Sequence, residues 1–99
     1  MKLREIAHAR TGDKGSILTI SLIVWRPEDY PHIAELVTAE AVSRRFAPLV
    51  VSPATRYELP RLHALNFVLR RPASRSVTSS VALDAHGKCL GDLLLDMEI

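Results

Sequence analysis

Ninety-nine residues, 47% of them apolar and 24% charged, make a chain able to bury one core of its own, which excludes disordered and fibrous classes. A formal net charge of +2 is too small to assign nucleic acid or a membrane surface as the partner. The single cysteine, Cys89, cannot form an intrachain disulfide, and the opening MKLREIAHAR lacks the apolar stretch of a secretion signal, so a cytoplasmic protein is expected.

Charge is unevenly spread along the chain. Between Arg56 and Arg75 lie five arginines and one acid, Glu58, whereas residues 84–99 carry Asp84, Asp92, Asp96 and Glu98 against Lys88 alone. That pattern suits either solvated strand flanks or complementary faces of a homo-oligomer. The longest apolar-rich run, Ile17 to Trp25, is too short to span a bilayer and contains Thr19 and Ser21, so no membrane association is expected.

In chain order, Leu3 to Ala9 reads as a first strand. Ile17 to Trp25 is the clearest strand, with Leu18, Ile20, Leu22 and Val24 alternating on a face that must be buried. Pro31 suits the first turn of a helix whose apolar face is Ile33, Leu36 and Val37. One ideal helix would carry Val42 and Phe46 off that face. A break at Thr38, with Thr38 capping a second helix, restores them as an i, i+4 stripe that Pro48 ends.

Val50 to Leu59 then reads as extended, Arg61 to Ala64 as a turn and Leu65 to Leu69 as a strand with Asn66 as its one polar member. Val77 to Leu83 alternates as a strand, and residues 84–87 form a turn. In the tail, Leu90, Leu93, Leu94 and Met97 fit a helix stripe and Leu93, Leu95, Met97 and Ile99 fit a strand; a helix running into an extended end is the preferred reading. The sum is an α+β domain over residues 1–99, with four or five mainly antiparallel strands and helices on one face.

The stretch HARTGDKGS, His8 to Ser16, concentrates the chemistry. Read as a loop, it offers Gly12 and Gly15 for positive φ and an anion-binding nest of amides, Arg10 and Lys14 for charge, and Thr11 and Ser16 as hydroxyl donors. Its spacing is neither that of a P-loop nor G-x-G-x-x-G. The plainer alternative is a tight connection in which Asp13 bonds nearby amides. His8, two residues before Arg10, is placed to act as acid or base beside a bound anion, or simply as a satisfied histidine.

His63 and Asn66 form a second candidate group; a buried Asn66 must find partners, either by pinning a neighbouring loop or by reading a ligand. His8, His32, His63 and His86 show no metal-ligand spacing, so neither metal nor cofactor is expected. Nucleophilic catalysis through Cys89 or a serine has no adjacent base in the local sequence. RNA binding would need an aromatic platform, and Phe67 and Tyr57 do not supply one.

HARTGDKG, the AEAV…F helix, RYELPRLHALNFVL and LDAHGKCLGDLLLDMEI occur in this order in a known family. The chain resembles the AtuA-like ferredoxin-fold domain, the C-terminal module of acyclic terpene utilisation proteins. The resemblance implies a ferredoxin-like two-layer sandwich and a setting in catabolism of terpenoid or branched acyl-CoA compounds. It supplies no catalytic residues. Because the module usually follows a large N-terminal domain, it also implies an accessory role, with an AtuA-like or CoA-carboxylase subunit as partner. Three expectations follow for its partners and chemistry: self-association, a small acidic ligand at His8–Ser16 including Arg10, Thr11, Asp13, Lys14, Gly15 and Ser16 with Asn66, or a small enzyme on an acyl or carboxylate substrate.

Overall fold

The computed structural model describes residues 1–14, 16–46, 53–70 and 87–99. Its elements are β1 (Ala7–Lys14), β2 (Ile17–Val24), α1 (Tyr30–Leu36), α2 (Ala39–Phe46), β3 (Thr55–Leu59), β4 (Ala64–Arg70) and α3 (Gly87–Leu95). The four strands form one sheet in the order β1-β2-β4-β3, with every neighbouring pair antiparallel. A four-stranded antiparallel sheet with helices layered on it is the α+β, ferredoxin-like architecture expected.

The core follows from strand alternation. Leu18, Ile20, Leu22 and Val24 of β2 are all buried, and Leu65, Phe67 and Leu69 of β4 stand opposite Leu22, Ile20 and Leu18 in register. Ile33 and Val37 with α1, Val42 and Phe46 of α2, and Leu90 and Leu94 of α3 close over them in one cluster. Each such side chain withdrawn from water contributes about 1.5–3 kcal/mol. The helix break falls where expected: Thr38 Oγ1 accepts from the Ala41 amide at 3.0 Å, capping α2 so that Val42 and Phe46 point inward.

The first strand differs from its sequence reading. Leu3–Glu5 curls into a single 3-10 turn, and β1 begins only at Ala7 and runs through Lys14. The cause is long-range. The Lys2 amide donates to Glu5 Oε2 at 2.8 Å, while the Leu3 amide donates to the Met97 carbonyl at 2.9 Å and draws Leu3 into the core.

At the other end, α3 stops at Leu95 and the chain continues extended, with Lys2 bridged to Glu98. The described part of the Val50–Leu59 segment becomes strand only from Thr55, and Pro60–Leu62 forms a 3-10 turn. The strand expected at 77–83, the turn at 84–86 and the helix end at Pro48 lie outside the described residues; Gly87 already begins α3. No described helix is long and apolar enough to cross a membrane.

Candidate functional site

Burial of Ala7 fixes the faces of β1: odd-numbered side chains turn toward the helices, and His8 and Arg10 turn to the opposite face of the sheet. No described helix covers that face. Register then builds two rows across it. Arg10 stands opposite Ser21, Ser21 opposite Asn66 and Asn66 opposite Tyr57, a polar row over all four strands. Alongside it His8, Ile23, Ala64 and Leu59 form a mostly apolar row.

A shallow depression of about 360 Å³ lies over these rows, lined by His8, Arg10, Ser21, Ile23, Leu59, Leu62 and Ala64. It is polar at the β1 end and apolar toward β3. The His8 ring stacks on Trp25, with centroids 4.2 Å apart and planes inclined at 29°. Trp25 is 63% exposed, so the pair is a surface stack beside the depression rather than core packing. Arg10 is exposed and makes no ion pair or hydrogen bond with any described residue. Asn66 Oδ1 is buried without a hydrogen-bond partner among the described residues, so the pinning role expected of it is not seen at this atom.

The expected loop is therefore largely a strand, and its side chains divide between two faces. Thr11 turns to the helical side, where its Cγ2 would lie 3.3 Å from a Cβ placed on Gly91. Gly12 belongs to the ladder rather than to an amide nest. Thr19 Oγ1 donates to its carbonyl at 3.3 Å, and a Cβ on Gly12 would meet that oxygen at 3.1 Å, so close approach is the need glycine meets here.

Asp13 and Lys14 have strand backbone, but their side chains, like Gly15, lie outside the described residues. Ser16 is exposed just before β2. Asn66 is two strands from Arg10, about 10 Å at ordinary strand spacing.

His63 does not join this group. It takes a left-handed conformation (φ 52°, ψ 47°) at the turn into β4, and its ring meets Tyr30 edge-on at 6.2 Å. His86 and the Cys89 side chain lie outside the described residues. Among the described residues no cluster of three histidine, cysteine, aspartate or glutamate side chains could hold a metal ion. Ser21, Tyr57 and Leu59 went unread as site residues because only the strand register puts them on the face that carries Arg10, and Leu62 because the turn after β3 brings it there.

Taken together, these features define a small α+β domain of ferredoxin-like layering. Its helices cover one sheet face, and the other carries an apolar depression tipped by a cation. The chain belongs to the AtuA ferredoxin-like domain family, whose model matches residues 1–99. No curated protein and no solved structure matches it.

Proposed function

We propose that the chain is an accessory module of an AtuA-type system that holds the acidic end of an apolar, branched acyl compound on its open sheet face. The observation that carries this reading is the polarity of the depression: Arg10 at the β1 end, Ile23, Leu59 and Leu62 toward β3. A guanidinium forks onto a carboxylate, and the aliphatic residues accept a hydrocarbon tail without a polar group to satisfy. The setting that goes with this reading is the one the family resemblance implies, terpenoid or branched acyl-CoA catabolism in the cytoplasm beside an AtuA-like or CoA-carboxylase subunit.

Trp25, the chain's one tryptophan, stands against His8 and reports on the site directly. Titration with a branched terpenoid acid is expected to change its fluorescence saturably in the native chain and not in Arg10→Ala. An Arg10→Ala variant that binds as well as the native chain overturns the assignment. His8, sharing the face with Arg10, is the group among the described residues placed for acid–base work on a bound acyl group. Turnover of such a substrate, lost in His8→Asn while binding persists, would favour the enzymatic alternative.

A further inference from the structure

The two edges of the sheet are built differently. β3 is five residues long, carries Arg56 and Glu58, follows Pro53 closely and runs directly into Pro60, the usual ways of blunting an edge. β1 has eight residues, no proline and an unbroken register from Ala7 to Lys14. Its backbone polarity can be assigned. The Trp25 amide donates to the Ile6 carbonyl at 3.0 Å, extending the β1–β2 ladder by one pair. Alternation in an antiparallel ladder then directs the N–H and C=O groups of His8, Arg10 and Gly12 to β2, and those of Ala9 and Thr11 outward.

Among the described residues nothing pairs with that outer side. Thr11 is exposed, and a depression of about 520 Å³ beside Gly91, Asp92 and Leu95 leaves the helical side of the edge clear.

We propose that two copies of this chain join through β1, antiparallel, with Thr11 opposite Thr11 on the two-fold axis, fusing two four-stranded sheets into one. The strand is self-complementary in this register. Thr11 meets Thr11, a favourable cross-strand pair, and Arg10 meets Gly12, a long cation against no side chain. Moving the axis to Arg10 would oppose like charges, which destabilises a pair. A shift that pairs odd with even positions would put the two helical layers on opposite sides of the sheet. The occupant is thus a second copy, and the proposal stands on the edge geometry alone, independent of any ligand on the open face.

Sedimentation equilibrium of the full chain at micromolar concentration is expected to give twice the 11.0 kDa of one chain. Thr11→Pro removes the outward N–H without touching the ladder to β2, so circular dichroism should stay native while the mass falls to that of one chain. Thr11→Lys, which opposes two cations on the axis, should weaken association several-fold and recover with added salt. A native chain that sediments as a monomer overturns the proposal. So does a folded Thr11→Lys variant that associates as tightly as the native chain at low salt, whatever the fate of Thr11→Pro.

Discussion

Arg56 lies on β3 but serves α1. Its Nη1 donates to the Ala34 carbonyl at 2.7 Å and to the Val37 carbonyl at 3.0 Å, two of the carbonyls that a helix end leaves without intrahelical donors. The side chain is only 20% exposed, so water cannot readily replace it. A hydrogen bond involving a charged group is worth about 1.5–3 kcal/mol net, and two sharing one nitrogen fall at the low end. Arg56→Met keeps the stem and its packing but loses both bonds, for an expected loss of about 3 kcal/mol.

In a domain of this size, such a loss lowers Tm by roughly 12–24 °C. Arg56→Lys, with a compact ammonium in place of the fork, should recover about half of it. Urea unfolding of the three proteins measures this. A loss below about 0.5 kcal/mol in Arg56→Met would show that α1 is not held from β3 and refute the reasoning.

Burial pushes the Tyr30 phenol above its ordinary pKa, and the Glu58 carboxylate adds to the shift, while Arg56 and the Leu59 backbone oppose it. The neutral phenol is the form the fold favours. Its contribution is complete below the unfolded value of about 10 and is lost as pH rises through the higher folded value. Tyr30→Phe, which also removes a buried hydroxyl without a hydrogen-bond partner among the described residues, should flatten the alkaline fall in urea midpoint; an unchanged alkaline slope would count against this.

At Asp96 the hydrogen bond from Arg4 lowers the carboxyl pKa, against some desolvation and with help from the charges of Arg4, Lys2 and Arg45. This contribution is present above the ordinary carboxylate range and fades as pH falls through the depressed value. In Arg4→Ala, carboxyl titration by NMR should find Asp96 shifted upward; no movement would discount the Arg4 bond.

Gly91→Leu places a Cβ 3.3 Å from Thr11 Cγ2, closer than ordinary contact, and 3.5 Å from Ala9 Cβ. The tight contact is expected to outweigh the better helix propensity of leucine, for a net cost of about 1 kcal/mol by chemical denaturation. A neutral result would mean that α3 does not press on β1.

The parts of the fold governed by near neighbours were legible in the sequence. The β2 alternation and the cap at Thr38 depend on residues within a turn or a strand of one another, and both appear as read. β1 was misplaced because its residues follow strand geometry for reasons outside the segment. Ile17 to Val24 offers a ladder that polar and glycine residues can join, and Met97 and Glu5 divert Leu3 into a turn. His8 and Arg10 were recognised as sharing a face, since that requires only a spacing of two. The rows through Ser21, Asn66 and Tyr57 needed the pairing register, and the hold of Arg56 on α1 spans 19 to 22 positions. No local pattern encodes either.

That His8 and Arg10 stand on a strand rather than a loop affects how anything binds there. Alternate residues of a strand sit about 6.8 Å apart, and the ladder to β2 holds that interval rigid. A docking molecule therefore meets a fixed ruler instead of a loop that must first settle around it. Little ordering entropy is spent on association at such a site. For the ligand proposed above, selectivity would rest on whether the spacing between charge and hydrocarbon matches a distance the backbone will not adjust.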